Sequence, residues 1–190
     1  MTFLPLRALV AVAAASSATA FAYPAYLKSF SDHFEFNGVV VDDLVDQESC
    51  GICHNRAAGG GARNGYGKDF ESKVLGAGAG YEVLDYLDSD SDGFLNVEEI
   101  AAQTAPGKAS VKPAGRIALA RNGGDVSVTP VSSCQSLTLK AYGFQVDGKS
   151  DIALSNVAAN STSTFKLSGD KGLVLALCTK EGLVGSFFVE

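Results

Sequence analysis

Cys50, Cys53 and His54 stand as C-x-x-C-H in "ESCGICHNRAAGGGARNGYG", residues 48–67. Two thiols and an imidazole at this spacing support three chemistries. They can anchor a covalent haem c through two thioethers, with His54 as the proximal iron ligand. They can form a redox or structural disulfide, or they can supply part of a zinc site. Zinc needs further Cys or His ligands, and the chain holds only four Cys and two His. Cys134 and Cys178 lie much later, beside strand-like runs, and His33 alone does not complete a set. A thioredoxin-type motif needs a preceding strand in a βαβ unit, whereas the strand-like runs here follow the motif. A disulfide explains the cysteines and leaves His54 unused; haem uses all three residues. Met1 is the only methionine, so an iron bound here could not take a methionine from the mature chain as its sixth ligand. His33 leads the candidates, ahead of Lys68, Lys73 or an open position. A neutral imidazole is available near pH 7, whereas a lysine must first lose its proton.

A second constellation is "DSDSDGFLNVEE", Asp88 to Glu99. It follows D-x-D-x-D-G-x5-E, the pattern of an EF-hand-type calcium loop. Asp88, Asp90 and Asp92 occupy positions 1, 3 and 5. Gly93 makes the turn, Phe94 offers its carbonyl, Asn96 acts directly or through water, and Glu99 closes the site with both oxygens. Four carboxylates in twelve residues repel one another unless a cation neutralises them. A lone loop of this kind suits a structural calcium ion rather than a switch.

The elements that must position these residues fall into two groups. "MTFLPLRALVAVAAASSATAFA", residues 1–22, reads as a signal peptide with Arg7, a short apolar run and an A-x-A cleavage site. The run is too short to span a membrane, so no transmembrane segment is expected after cleavage, and the protein is expected to be periplasmic or secreted. From Tyr23 to Thr104 there are 15 acidic and 5 basic residues; from Ala105 to Glu190 there are 6 and 9. An acidic exported chain is a poor partner for nucleic acid. The change of character falls at "TAPGKASVKPAG", residues 104–115, rich in Pro and Gly.

Before the break, "GYGKDFESKVLG" and "GYEVLDYL" carry helical spacing between glycine-rich turns. After it, "DVSVT", "SLTLKA", "DIALSNV", "STFKL", "LVLALC" and "VGSFFVE" alternate as strands. The expected fold class is α+β: a small, loop-rich, mainly helical haem and calcium domain over 23–106, a linker over 107–115, and a small antiparallel β-sandwich over 116–190. Export makes a Cys134–Cys178 disulfide the default.

"CGICH", "GGGARNGYGKDF" and "LDSDSDGFLNVEEIAAQTAPG" together resemble a family of secreted, temptin-like domains. That family carries a two-cysteine segment, a "GG.RN.(Y/F)G..F" box and one "D.D.DG..N..E" loop. The likeness spans residues 23 to 107. Its animal members imply cysteines in disulfides; bacterial relatives with C-x-x-C-H imply a cytochrome c-like domain. Both sides imply a calcium site at Asp88, Asp90, Asp92 and Glu99. The expected function is therefore an exported monohaem c-type cytochrome passing electrons to a redox partner protein, with calcium as a structural ion. The alternative is a secreted, calcium-stabilised binding or structural module without haem, with Cys50 and Cys53 in disulfides. Neither reading makes the chain an enzyme.

Two motifs are set aside. "GFQVDGKS", Gly143 to Ser150, has the letters of a P-loop but precedes a strand-like run rather than a helix; Asp147-Gly148 signals a hairpin turn. "NST" at 160–162 is a glycosylation sequon only in a eukaryotic secretory route.

Overall fold

The computed structural model describes residues 24–36, 49–143 and 145–189. The expected signal segment, 1–22, lies outside these residues. The helices are short: α1 (Pro24–Phe36), α2 (Gly65–Asp69), α3 (Glu82–Asp85) and α4 (Asn96–Ala101). A 3-10 turn covers Ser49–Ile52, and α2 runs on into a π-helical turn over Phe70–Gly76. Eight strands follow: β1 (Gly115–Asn122), β2 (Asp125–Pro130), β3 (Cys134–Tyr142), β4 (Gln145–Val146), β5 (Asp151–Val157), β6 (Ser163–Ser168), β7 (Gly172–Cys178) and β8 (Leu183–Val189).

These strands form one sheet in the order β4-β6-β2-β1-β8-β7-β3-β5. All neighbours are antiparallel except β1 and β8, which run parallel. The two end strands, β4 and β5, meet through a tight hairpin, so the sheet curls into a nearly closed barrel. This corrects the expected fold class. The chain is mainly sheet, and the sheet is one curled layer rather than a two-sheet sandwich behind a mainly helical domain.

The physical reason lies in β7 and β8. Odd-numbered Leu173 and Leu175 of β7 pack with Phe30, Phe34, Ile52, Tyr66 and Leu84 of the helical segment. Even-numbered Val174, Ala176 and Cys178 face the barrel interior with Val126, Val128, Leu137 and Leu139. The unbroken apolar run "LVLALC" is thus a strand covered on both faces. Alternation alone does not distinguish a sandwich from a curled sheet whose outer face carries helices. The helical segment completes its core only by lying on β7 and β8.

At the β4–β5 hairpin, Asp147 and Gly148 have φ of 48° and 73°. Val146 and Lys149 exchange backbone hydrogen bonds of 2.8 and 3.0 Å around them. Two left-handed central residues are what a two-residue hairpin turn requires, so the P-loop letters are a turn.

Cys134 and Cys178 form a disulfide, as expected, enclosing a sequence separation of 44. Both sulfurs are buried in the barrel core. In the chain-entropy picture a loop of this length stabilises by about 4 kcal/mol. The double variant Cys134→Ala/Cys178→Ala should therefore lose about 3–5 kcal/mol in urea unfolding. A loss below about 1 kcal/mol would mean that strand pairing alone holds this edge of the barrel.

Candidate functional site

The C-x-x-C-H segment is a tight turn. Cys50 carbonyl accepts from the backbone N–H of Cys53 at 3.2 Å and of His54 at 2.9 Å. Beyond it, Gly59, Gly60 and Gly61 all have φ between 70° and 77°, a run only glycine adopts without strain. They reverse the chain so that His54 bridges Arg63 in antiparallel pairing.

Asn64 then locks the turn. It is 3% exposed. Its Nδ2 donates to the carbonyls of Gly51 at 3.0 Å and Ile52 at 2.9 Å. Its Oδ1 accepts from Gly67 N–H at 2.9 Å and so caps α2. Gly67 lies so close to the turn that an added Cβ would stand 2.0 Å from the Cys53 carbonyl oxygen. The "RNGYG" box is therefore a clamp on the cysteine turn.

Cys50 and Cys53 are unbridged, and each is half-buried. Burial, with Cys50 alongside, pushes the Cys53 thiol up to about 11, which leaves it a poor nucleophile near neutral pH. Nδ1 of His54 and the hydroxyl of Tyr66 are buried with no hydrogen-bond partner. His33 is engaged elsewhere through one ring nitrogen. Its Nε2 lies 3.1 Å from an Asp85 carboxylate oxygen, and its ring stacks on Tyr81 at 5.6 Å. Burial holds the Asp85 carboxyl above the usual carboxylate range, and the contact with His33 pulls it back down. The pair pins α1 onto α3. Lys68 is exposed and Lys73 half-buried.

The turn holds two unbridged thiols beside the His54 imidazole, the donor set that a covalent haem would use. His33 has its Nε2 engaged by Asp85.

The second constellation is more complete. Carboxylate oxygens of Asp88, Asp90 and Asp92 lie within 4.8 Å of one another. Backbone N–H groups fold the loop around them. Asp92 and Gly93 donate to Asp88, at 3.1 and 2.9 Å, and Phe94 donates to Asp92 at 2.9 Å. Glu99, the twelfth residue, is 0% exposed, yet neither of its carboxylate oxygens has a partner, and one oxygen each of Asp90 and Asp92 is also orphaned. Burial, reinforced by the charges of Asp90, Asp92 and Asp88, pushes Glu99 up to about 9. An unpaired buried carboxylate beside three others is costly. A divalent cation removes that cost by supplying the missing partner.

Asn96 is fully buried and braces the loop from within. Its Nδ2 donates to Leu84 carbonyl at 2.7 Å and Ser89 Oγ at 2.9 Å, and its Oδ1 accepts from Ser89 N–H at 3.3 Å. It fastens the loop's second residue to α3. The ring of Phe94 packs beneath the Arg116 guanidinium at 4.3 Å. Glu98, not singled out by the sequence pattern, ties the loop to the sheet. It accepts from Leu95 N–H at 3.0 Å, Arg116 Nη1 at 3.3 Å and Ser186 Oγ at 2.9 Å. Asn64 is missed from sequence alone, although an Asn just before "GYG" is a helix-cap signal; Asp85 and Glu98 are missed because their partners are distant in sequence.

Set against known proteins, the chain matches no family model, no curated protein and no solved structure.

Proposed function

We propose that this chain is an exported binding or structural module whose helical segment is set by one calcium ion at Asp88, Asp90, Asp92 and Glu99. The observation that carries the reading is Glu99: fully buried, both oxygens unpartnered, and near enough to the Asp88, Asp90 and Asp92 cluster to feel its charge. Twelve residues with oxygen donors at positions 1, 3, 5 and 12 suit a hard cation. Phe94 carbonyl and water would complete the shell. The Cys134–Cys178 disulfide agrees with an oxidising compartment, periplasmic or secreted.

A second reading is favoured by the unbridged Cys50 and Cys53 and the orphaned Nδ1 of His54. Here the module is a monohaem c-type cytochrome serving a partner protein. Cys50 and Cys53 would hold the porphyrin as thioethers and His54 the iron. Haem so held would supply one-electron transfer. The chain's own residues hold the turn rigid through Asn64 and keep the Cys53 side within the apolar cluster.

One preparation separates the two readings. The protein is made with haem-maturation machinery and extracted with acid-acetone. Colour retained in the protein supports the cytochrome. A colourless protein whose melting temperature responds to calcium supports the module alone.

A further inference from the structure

Helix α2 touches both constellations. At one side Asn64 and Gly67 press on the carbonyls of Gly51, Ile52 and Cys53. At the other, Gly65 lies against the calcium loop: an added Cβ would stand 2.0 Å from the Ser89 carbonyl oxygen. Asp69, at the end of the same helix, accepts from Ser89 Oγ at 2.8 Å. Ser89 sits between Asp88 and Asp90, and Asn96 grips it by both its backbone N–H and its hydroxyl. Five residues of helix thus form a short strut with no slack at either end.

We infer that cation occupancy of the Asp88–Glu99 loop controls the opening of the Cys50–His54 turn, and so access to its thiols, through the strut Asn64–Asp69. The inference rests on the calcium reading above. In the cation-free loop the carboxylates of Asp88, Asp90 and Asp92 crowd one another and buried Glu99 has no partner, so the backbone through Ser89 is drawn apart. Because Gly65 is in direct contact with the Ser89 carbonyl, that movement reaches Asn64. Asn64 is the residue whose amide closes the cysteine turn. Calcium draws Asp88, Asp90, Asp92 and Glu99 together, sets Ser89, and holds the turn shut over Cys53. Close-packed interiors pass such displacements on, since they have little free volume to absorb them.

Hydrogen exchange reads the turn whether its thiols are free or covalently engaged. Peptides covering 49–56 and 62–69 should exchange at least roughly fivefold more slowly in calcium than in chelator, the low end of ordinary coupling between sites. A peptide from edge strand β5, 151–157, should change little. Where the thiols are free, iodoacetamide labelling of Cys50 and Cys53 should slow in parallel. Asp88→Ala should abolish the difference. Ser89→Ala keeps all four carboxylates and should still bind calcium in a calorimetric titration, but with a smaller effect on 49–56. Calcium that binds while 49–56 is unchanged overturns this inference and leaves the calcium site standing. Equal slowing of 49–56 and 151–157 also overturns it, since that is global stabilisation. Calcium that does not bind removes the site itself and the inference with it.

Discussion

Millimolar calcium should raise the melting temperature of the protein by about 1–6 °C, and Asp88→Ala should remove the shift. The size follows from linkage. A loop of extracellular type binds with a Kd of about 10⁻⁴–10⁻³ M. Millimolar calcium is then about 1 to 10 times that Kd, and the folded state gains roughly 0.4–1.4 kcal/mol. Each kcal/mol moves a domain of this size by about 2–4 °C. The shift also depends on pH, with a definite sign. In the cation-free fold Glu99 titrates at about 9, above its unfolded value of about 4.3. The folded chain then holds a proton that the unfolded chain has released, so its contribution to stability is complete below about pH 4.3 and is lost as pH rises towards 9. Asp90, also raised by burial and by Asp92, acts with the same sign. Calcium takes the place of the proton. Melting curves at pH 5 and pH 8 should show the calcium increment growing with pH. An increment that is largest at pH 5 would contradict the assignment of Glu99.

Gly67→Ala should be among the most damaging single methyl additions at the described residues. The new Cβ meets the Cys53 carbonyl oxygen at 2.0 Å and its carbonyl carbon at 2.8 Å. Both are backbone atoms that no side-chain rotation relieves. Either α2 lifts off the cysteine turn, breaking the Asn64 bonds to Gly51 and Ile52, or the turn deforms. We expect a loss above about 4 kcal/mol, in the exceptional class for one substitution. Gly124→Ala is the control: its Cβ meets nothing within 4 Å, and stability should change by less than about 0.5 kcal/mol. Chemical denaturation of the two variants side by side measures the difference. Equal stability would show that α2 is not seated on the turn as described.

Much of the site was readable in the residues because its chemistry is local. The twelve-residue loop carries its donors within its own sequence, so spacing alone placed Asp88, Asp90, Asp92 and Glu99. The hairpin at Asp147-Gly148 was likewise legible, since left-handed backbone has a short list of residues. What stayed hidden depends on contacts between distant segments. Asn96 falls at a ligand position by spacing, and its bonds to Ser89 and Leu84 could not be read from that spacing. His33 was the best remaining nitrogen by composition, but Asp85, 52 residues later, takes its Nε2. The barrel was missed because a period of two shows which side of a strand is apolar, not how many strands share one sheet. "LVLALC" held the missing information, as an apolar run with no polar face. The reversal of the glycine run at 59–61 and the seat of Gly67 explain why the "GGGARNGYG" box has so many glycines.

The central claim is a cation at Glu99, and equilibrium calcium binding tests it most directly. A calorimetric titration of the parent should give one calcium per chain. Glu99→Gln, close in shape but without the charge, should weaken binding on the order of tenfold or more by removing the bidentate carboxylate. Absence of saturable binding in the parent at millimolar calcium, or equal affinity in Glu99→Gln, would contradict the account.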